Sequence, residues 1–365
     1  MRHESAMARA LDMARRARGR THPNPPVGAV VVGDDGTVLG EGATQPAGGD
    51  HAEVMALRAA GSHARGATLA VTLEPCNHYG HTPPCTEAIL RAGISRVVAA
   101  IPDTNPGVRG GGFDYLRGQG VQVVTGVGAR AASDLAQGHF KLTETGRPHV
   151  SAKWAVTADG KVAQPSGGGR ITGDAAWRRV HAMRDAADAI ITGVDSILVD
   201  DSRLTVRPPP VDGRQPLRVV LDSQARTPPS SRVVGHDGRS LILTTAAAPS
   251  LRVGQLKEAG AEVLICTPTA ANRIDIDAAL EALGELRLSS VLLEAGPTLT
   301  GAFLATGAVD SVAVFVAPWT MGDGLAASAD VDALTARLLD RPRISRVGED
   351  TLIEGDLRRY GPAVD

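Results

Sequence analysis

The residues best suited to chemistry lie in one short part of the chain, at His51-Ala52-Glu53, Pro75-Cys76 and Cys85. One imidazole and two thiolates can hold a catalytic zinc ion, because three protein ligands leave the fourth coordination position open to water. A zinc deaminase also needs a carboxylate that is not a ligand and that carries protons between the water and the leaving amine. Glu53, two residues after His51, has the right type and place for that role.

The spacing of the two cysteines departs from the usual nucleobase-deaminase signature, which is H-x-E followed by P-C-x-x-C. Eight residues separate Cys76 from Cys85, so the second thiolate must return to the metal after an excursion. The chain has only three cysteines, and two of them fall in this segment beside prolines, which disfavours a chance arrangement. A purely structural zinc site stays open as an alternative, since His78 or His81 would supply its fourth ligand.

The bulk composition indicates an ordinary globular protein with more than one domain. Its 365 residues favour about two domains, and 43% hydrophobic and 21% charged residues are typical of globular chains. A net charge of -2 gives no reason to expect a nucleic-acid partner. The few cysteines favour a reducing compartment, and because Met1-Arg2-His3-Glu4 lacks a signal-peptide core, we expect no signal peptide. No long apolar run could span a membrane, so we expect a cytoplasmic protein with no membrane partner.

The first half of the chain alternates helical and strand patterns. An amphipathic helix is predicted over 4–18, with further elements at 27–32 (strand), 37–41 (hairpin return), 52–60 (helix), 67–73 (strand), 86–92 (helix), 96–101 (strand) and 121–124 (strand). His51 and Cys85 therefore lie at helix starts, where the backbone dipole favours a thiolate. Because no Lys-Ser/Thr follows Gly110-Gly111-Gly112, we interpret these glycines as a turn and not as a phosphate loop. The alternation predicts a three-layer α/β domain over residues 1–145.

The second half predicts another α/β domain, over residues 146–365. Its predicted elements are 150–156 (strand), 158–161 (turn), 167–169 (flexible), 174–184 (helix, capped from Thr172), 189–192 (strand), 193–198 (short helix), 205–216 (loop), and strands at 217–222, 240–244, 261–265, 290–293 and 309–316, the last of which closes the pattern. Cys266, an isolated cysteine beside an aliphatic strand, is predicted to be a core residue.

Two local features leave alternatives open when taken alone. Residues 294–298 form a strand end with Gly-Pro, after which Thr298 opens a helix whose free N–H groups suit a phosphate. A plain strand–helix connection explains the same residues, and the motif alone favours it. Asn24, which precedes a proline, has an amide that could read the polar edge of a heterocycle, yet Asn-Pro is equally ordinary turn chemistry.

The motifs of both halves, taken together, resemble one family, the bifunctional riboflavin biosynthesis deaminase/reductase. In the first half these motifs are Met7-Ala8-Arg9-Ala10-Leu11, His22-Pro23-Asn24-Pro25, Val27-Gly28, His51-Ala52-Glu53, Thr72-Leu73-Glu74-Pro75-Cys76 through Gly80, and Thr82-Pro83-Pro84-Cys85. In the second half they are Lys153, Asp159-Gly160-Lys161, Ile171-Thr172-Gly173, Asp200-Asp201, Leu204-Thr205-Val206-Arg207 and Glu294-Ala295-Gly296-Pro297-Thr298. The resemblance runs in order through nearly the whole chain.

The resemblance implies an α/β protein with an N-terminal three-layer cytidine-deaminase-like domain and a C-terminal dihydrofolate-reductase-like domain. It implies zinc-dependent hydrolytic deamination of 2,5-diamino-6-(5-phosphoribosylamino)pyrimidin-4(3H)-one. NADPH-dependent reduction of the ribosyl to the ribityl side chain would follow. It also implies a homo-oligomer, either a dimer or a tetramer.

Residue roles follow from the same resemblance. In the deaminase domain His51, Cys76 and Cys85 would hold zinc, Glu53 would move protons, and Asn24 and His81 would bind the substrate. In the reductase domain the implied catalytic residues are Lys153, Asp200 and Glu294, and the implied substrate-binding residues are Arg184, Leu204, Arg207 and Glu294. The implied cofactor-binding residues are Ala155, Arg170, Ser196, Asp200, Gly296, Pro297, Thr298, Leu299, Thr300, Gly301 and Ala302. The two substrate-binding arginines are natural phosphate clamps.

Three positions depart from the family pattern. Thr44 stands where a histidine is common, and His81 stands where the family has Lys or Arg, so its charge depends on protonation. Gly168-Gly169-Arg170 replaces a segment that often contains Ser and Trp. These changes keep open an active deaminase with a non-catalytic C-terminal nucleotide-binding domain.

Two further alternatives belong to other functional classes. A zinc-stabilised binding protein without turnover is disfavoured by the presence of Glu53. A nucleic-acid deaminase is disfavoured by the near-neutral charge and by an aromatic content of 3%.

Overall fold

The computed structural model describes residues 2–79, 83–105, 111–164, 169–235, 237–327, 329 and 339–364. The chain forms two compact units, of which the first comprises Met1–Gly146 with Tyr360–Asp365 and the second comprises Arg147–Arg359. Within the described ranges, every helix is too short or too polar to cross a lipid bilayer.

The first unit is built on a mixed sheet. Its elements are α1 (Arg2–Ala17), β1 (Gly28–Val32), β2 (Val38–Ala43), α2 (Ala52–Ala60), a 3-10 turn (Gly61–Ala64), β3 (Thr68–Leu73), α3 (Cys85–Ala92), β4 (Arg96–Ile101), α4 (Gly111–Gly118), β5 (Gln122–Thr125) and α5 (Ala129–Thr145). The strand order is β2-β1-β3-β4-β5; β1 is antiparallel to both its neighbours, and β3, β4 and β5 run parallel. The predicted helix over 52–60 and strand over 96–101 are confirmed to the residue.

Glycines in β2 let helix α2 lie directly on the sheet. A Cβ atom at Gly40 would lie 2.3 Å from the carbonyl oxygen of Ala56, and one at Gly42 would lie 2.2 Å from that of Ala52. No side chain fits at either position unless the helix moves away. This contact sets the height of α2 above the sheet, and therefore the position of His51 at its N-terminal end.

The interpretation of Gly110-Gly111-Gly112 as a turn is wrong for the last two glycines, which begin helix α4; Gly110 lies outside the described residues. The reason is a close approach that the sequence pattern does not show. A Cβ atom at Gly112 would lie 2.0 Å from the carbonyl oxygen of Pro75, so only glycine lets α4 start beside the Pro75-Cys76 segment.

The second unit is built on a larger, mainly parallel sheet. Its elements are β6 (His149–Thr157), β7 (Lys161–Ala163), α6 (Asp174–Asp185), β8 (Ala189–Gly193), α7 (Val194–Asp200), β9 (Leu217–Leu221), β10 (Ser240–Thr244), α8 (Ser250–Glu258), β11 (Glu262–Ile265), α9 (Ile276–Glu285), β12 (Ser290–Leu293), α10 (Pro297–Ala305), β13 (Ser311–Ala317), β14 (Leu325–Ala326), β15 (Asp340–Val347) and β16 (Asp350–Asp356). In the described part of the chain the strand order is β11-β10-β9-β8-β12-β6-β13-β16-β15, and β7 pairs separately with β14. The last two strands of the large sheet run antiparallel to their neighbours.

Two predictions for the second unit are wrong. The cap of α6 is Gly173 and not Thr172; its N–H group donates a hydrogen bond to the Asp350 carboxylate over 2.9 Å. The strand predicted over 309–316 is not the last strand of the unit, because β15 and β16 follow it. Residues 342–346 of β15 are all exposed, so this edge strand lacks the apolar signal used to predict the other strands.

Two other predictions for this unit have different outcomes. Cys266 is buried in the core of the second unit, as predicted. The flexible segment predicted over 167–169 lies mostly outside the described residues.

The end of the chain packs on helix α5 of the first unit. The Gln137 side chain binds both backbone groups of Tyr360: its amide N–H donates to the carbonyl oxygen over 3.0 Å, and its oxygen accepts from the backbone N–H over 2.9 Å. The N–H group of Gly361 donates to Glu144 over 2.8 Å. Tyr360 also packs against the hydrophobic core of this unit.

We predict that Gly361→Ala weakens this attachment much more than Gly120→Ala. Both glycines have positive φ, +87° and +83°, but a Cβ atom at Gly361 would lie 2.2 Å from the buried Phe140 ring, whereas one at Gly120 meets nothing within 4 Å. Overpacking costs about 1–3 kcal/mol, which corresponds to amide exchange in α5 about 5- to 150-fold faster than in the Gly120→Ala control. Hydrogen-exchange mass spectrometry measures this difference, with peptides of the second unit as internal reference. Equal exchange in the two variants would contradict it.

Candidate functional sites

The three predicted metal ligands come together in the first unit. The Nδ1 atom of His51 lies 3.2 Å from the Cys85 sulfur and 3.5 Å from the Cys76 sulfur, and the three ligand atoms all lie within 4.8 Å of one another. Tetrahedral zinc, with bonds of about 2.0 Å to nitrogen and about 2.3 Å to sulfur, separates its ligand atoms by about 3.5–3.8 Å. The set therefore fits zinc. His78 is not part of this cluster, and His81 lies outside the described residues.

The charge balance of the cluster also calls for a cation. Hydrogen bonds from Cys85 and His51 lower the pKa of the Cys76 thiol to about 4 despite its burial, and the backbone N–H group of Cys85 donates to the same sulfur. Hydrogen bonding to Cys76, together with burial, raises the pKa of the Cys85 thiol. The hydrogen bond to Cys76 raises the pKa of the His51 imidazole. A divalent cation is what allows both sulfurs to be thiolates at once.

Glu53 lies in the first turn of α2 and is 4% exposed. It is not a member of the metal-ligand cluster. Burial raises the pKa of its carboxyl group to about 7, and the nearby Cys76 charge acts in the same direction. A buried acid with a near-neutral pKa that stands beside a metal site can both accept and release a proton.

Glu74 is a buried carboxylate for which the sequence predicted no separate role. Its oxygens accept hydrogen bonds from the backbone N–H groups of Asp103 (3.2 Å), Gly112 (3.1 Å) and Phe113 (3.1 Å). The last two belong to the first turn of α4, where the helix dipole favours a negative charge. Because Glu74 lies two residues before Cys76, these bonds fix the end of β3 where the ligand begins. The available signal was an acid directly before Pro-Cys at a strand end.

The excursion between the two cysteines is anchored at both ends. The Asn77 side chain accepts a hydrogen bond from the Thr86 hydroxyl over 2.7 Å and donates one to the Gly111 carbonyl over 3.2 Å. The Thr86 N–H group donates to the Cys76 carbonyl over 3.2 Å. These hydrogen bonds fix the residues that directly follow the two cysteines, Asn77 and Thr86.

Asn24 and Thr44 differ in what their side chains do. The Asn24 backbone is held by Thr21 through two hydrogen bonds of 2.9 Å, while its side-chain amide has no hydrogen-bond partner among the described residues. The buried Thr44 hydroxyl accepts a hydrogen bond from the Val27 N–H group over 3.1 Å, which joins the end of β2 to the start of β1.

A cavity of about 340 Å³ lies in the second unit. Predicted site residues that line it are Lys153, Ala155, Arg170, Arg184, Ser196, Asp200, Leu204, Glu294, Gly296, Pro297 and Thr300. Predicted site residues that do not line it are Arg207, Thr298, Leu299, Gly301 and Ala302. The last four lie within helix α10, after its first residue. Leu299, for example, packs against the core of this unit.

The largely buried carboxylate of Glu294 in the cavity interacts with two cations. Arg184 donates to Glu294 through Nε (2.6 Å) and Nη2 (3.0 Å), and the Lys153 Nζ atom lies 3.9 Å from the same carboxylate. Burial lowers the pKa of Lys153, and the charge of Arg184 adds to this while Glu294 opposes it. Burial raises the pKa of Glu294, but Arg184 and Lys153 outweigh it, so the net pKa is lowered.

The start of helix α10 and the end of helix α7 meet the same cavity. Gly296 caps α10 and Pro297 is its first residue, so the N–H groups of the first turn have no partner within the helix. Such a terminus suits a diphosphate, and the cavity size suits the reactive end of a dinucleotide. Asp200, the last residue of α7, is exposed at the cavity edge, and no described cation forms an ion pair with it.

Helix α6 contributes one face to the lining of this cavity. Trp177, Val180, His181 and Arg184 all line the cavity. Their spacing of three, four and seven residues places them on one side of a helix. This periodicity is visible in the sequence, but the predicted site residues include only Arg184 of this face.

A zinc-ligand cluster beside a buried acid, and a cavity that pairs a lysine with a helix terminus, define a deaminase joined to a reductase. Known proteins agree: the family model described as cytidine and deoxycytidylate deaminase zinc-binding region matches residues 1–101, and the RibD C-terminal domain matches residues 148–353. The riboflavin biosynthesis protein RibD of Aquifex aeolicus is 39% identical over 350 residues, 95% of this chain and 96% of that protein. RibD of Escherichia coli is 39% identical over 370 residues, 97% of this chain and 99% of that protein.

Solved structures show the same likeness. RibD of Acinetobacter baumannii superposes with a TM-score of 0.83 at 34% identity, covering 97% of this chain and 98% of that one. A diaminohydroxyphosphoribosylaminopyrimidine deaminase/5-amino-6-(5-phosphoribosylamino)uracil reductase of Thermotoga maritima has a TM-score of 0.84 at 32% identity, covering 99% of each chain. The chain belongs to the RibD family of bifunctional deaminase/reductases of riboflavin biosynthesis. The predicted fold class, enzyme class, zinc and NADPH are thereby confirmed.

We predict that Glu74→Gln weakens zinc binding although Glu74 is not a ligand. The amide nitrogen of glutamine would place a donor against backbone donors that now bind the carboxylate, so the Cys76 segment loses its support. Loss of such a supporting partner typically lowers metal affinity by about 10- to 100-fold. Competition with a chromogenic chelator measures the affinity. Glu87→Gln, which removes a carboxylate from the partly exposed side of α3, is the control; equal zinc affinities in the two variants would contradict the prediction.

Proposed function

We propose that this chain deaminates 2,5-diamino-6-(5-phosphoribosylamino)pyrimidin-4(3H)-one and then reduces the ribosyl group of the product to ribityl. The substrates named for the Thermotoga maritima relative support this choice. The observation that carries the deaminase half is Glu53, buried beside the three ligands without joining them. The reductase half is supported by a largely buried lysine–carboxylate pair in the cavity of the second unit.

In the deaminase site we assign His51, Cys76 and Cys85 to zinc and Glu53 to proton transfer. When bound, zinc supplies the Lewis acidity that activates water at neutral pH. Glu53 takes a proton from that water as the new C–O bond forms, and it gives a proton to the exocyclic amine as the C–N bond breaks. Its burial keeps bulk water from taking over either transfer.

Two further groups are assigned to substrate binding in this domain. The Asn24 amide is available to hydrogen-bond the edge of the pyrimidine, because its side chain has no partner among the described residues. We assign His81 to the substrate phosphate on its sequence position alone.

In the reductase site we assign proton transfer to Lys153. Opening of the ribose ring breaks the bond from C1′ to the ring oxygen, and that oxygen must receive a proton while C1′ becomes doubly bonded to the pyrimidine nitrogen. The lowered pKa of Lys153 suits an acid at this step. Glu294 holds the ammonium in place, and Asp200 at the cavity edge is assigned to the ribose and cofactor.

The remaining residues are assigned to binding. NADPH supplies the hydride when bound, and we assign its contacts to Ala155, Arg170, Ser196 and the turn from Gly296 to Ala302, where the α10 terminus receives its diphosphate. Leu204 and Arg207 are assigned to the substrate, with Arg184 acting through Glu294.

We also propose that the chain acts in the cytoplasm as a homo-oligomer. The scarcity of cysteines supports a reducing compartment. The oligomer is a proposal from family resemblance, and sedimentation velocity measures it directly.

We predict that Glu53→Gln lowers the rate constant of deamination by about 10²- to 10⁴-fold while zinc stays bound. Glutamine keeps the size of the side chain but cannot move a proton. Ammonia release measures the rate and elemental analysis measures the zinc. The control is Asp50→Asn, which neutralises the acid directly before His51; Asp50 pairs with Arg58 at the surface. Turnover near that of the control would remove Glu53 from the mechanism.

We predict that Lys153→Ala lowers NADPH oxidation by about 10²- to 10⁴-fold and leaves deamination intact. In the unchanged enzyme the reductase rate should fall as pH rises through the pKa of Lys153. This pKa lies below that of a free lysine, because burial and Arg184 outweigh Glu294. Lys257→Ala, on the exposed end of α8, is the control.

The assignment of the proton to Lys153 has a direct competitor in Asp200. Asp200→Asn should raise the Michaelis constants and keep the alkaline limb of the pH profile. If that limb disappears in Asp200→Asn and persists in Lys153→Ala, Asp200 is the acid.

A further inference from the structure

Trp177 lies at the centre of a group of cations beside the reductase cavity. Its half-buried ring lines the cavity, and the guanidinium carbon of Arg207 lies 5.2 Å from the ring centroid. The guanidinium carbon of Arg170 lies 6.0 Å from the same ring. These distances are those of cation–π contacts, which guide a guanidinium without consuming its hydrogen-bond donors.

His181, one helical turn after Trp177, holds the other end of Arg207. Its Nδ1 atom accepts a hydrogen bond from the Arg207 backbone N–H group over 2.9 Å, and its ring centroid lies 3.9 Å from that of Trp177. The acceptor role requires an unprotonated Nδ1. Burial and the charges of Arg184 and Arg207 lower the pKa of His181 to about 4, which keeps the ring neutral. Helix α6 therefore fixes Arg207 at two points.

Arg207 forms no ion pair with a carboxylate of the described residues. Arg184 donates two hydrogen bonds to Glu294 and a third to the Thr205 carbonyl, so its donors are largely committed. Arg170 pairs with the exposed Asp174. Arg207, in contrast, has no ion-pair partner among the described residues, and its donors are available to an anion.

We propose that Trp177 is a positioning residue that holds Arg207 beside the reductase cavity and makes this place selective for phosphate monoesters. It acts by presenting the Arg207 guanidinium, with Arg170 on the same ring, so that two parallel N–H groups can bind a phosphate. Of the two predicted phosphate clamps, Arg184 is hydrogen-bonded to Glu294, whereas Arg207 forms no ion pair with the described residues. The inference rests on the proposed function for the identity of the ligand, which is either the 5-phosphate of the substrate or the 2′-phosphate of the cofactor.

Equilibrium binding of ribose 5-phosphate and of ribose to the full-length protein tests this selectivity. If the substrate phosphate occupies the site, Trp177→Ala should weaken binding of ribose 5-phosphate about tenfold, an amount expected for a cation–π contact, and leave ribose unchanged. Trp177→Phe, which keeps an aromatic face, should restore most of the loss. Arg178→Ala, an exposed neighbour on α6 that does not line the cavity, is the matched control.

A double-mutant cycle shows whether Trp177 acts through Arg207. In an Arg207→Ala background, Trp177→Ala should cause no further loss of ribose 5-phosphate binding. Full additivity of the two losses would overturn the positioning role, because Trp177 would then bind the ligand independently. An equal loss for ribose and ribose 5-phosphate in Trp177→Ala would overturn it too.

The source of the phosphate is decided by a second pair of ligands. If the 2′-phosphate occupies the site, Trp177→Ala raises the dissociation constant of NADPH and not that of NADH. If the 5-phosphate occupies it, both cofactor constants stay unchanged while ribose 5-phosphate binding falls. Either result supports the proposal. If Trp177→Ala weakens the binding of neither NADPH nor ribose 5-phosphate, the proposal is overturned.

The proposed function is judged separately, by turnover of the ribotide. An enzyme that binds ribose 5-phosphate through Trp177 but does not reduce the ribotide would refute the proposed function and leave the positioning role standing.

Discussion

The deaminase domain depends on one electrostatic constraint: two sulfur atoms and an imidazole are held in contact in a largely buried place. Without a cation only Cys76 is stabilised as a thiolate, and His51 compensates it. The charge of a second thiolate at Cys85 is opposed by its neighbour and by burial. A divalent ion removes this conflict, so metal binding and the final geometry of the site are linked. The parts of the fold around the cluster hold these three atoms beside the buried Glu53 carboxyl group, whose pKa burial raises to about 7.

The reductase domain solves a related problem with a carboxylate. Glu294 is largely buried, and a charge removed from water requires a partner. It has two, Arg184 through a pair of hydrogen bonds and Lys153 at 3.9 Å. Burial and the charge of Arg184 lower the pKa of Lys153 although Glu294 opposes them, while the donors of Arg184 are largely committed to Glu294. Arg207, in contact with Trp177 and His181, forms no ion pair with the described residues.

Close backbone contact places both the cluster and its support. Gly40 and Gly42 allow α2 to lie on β2, and Gly112 allows α4 to start against Pro75. A methyl group at any of these positions would meet a carbonyl oxygen at 2.0–2.3 Å. The distance from His51 to the cysteines is therefore set by glycines that carry no chemistry of their own. Packing at interior density leaves no room to absorb an added atom there.

The sequence by itself determined the metal ligands, the acid beside them, the helix over 52–60 and most strands, because these depend on local spacing and on periodicity within a few residues. Only the tertiary structure decided that Glu74 binds N–H groups from three distant positions, and that Gly111 and Gly112 start a helix. It also decided that Thr172 is not the cap of α6, because the carboxylate that binds Gly173 comes from Asp350. The family resemblance identified Arg184 and Arg207 as a pair, yet the fold gives them different partners. Each of these outcomes depends on groups far apart in the chain, whose meeting is set by packing and by pairing of buried charge, and no local pattern records it.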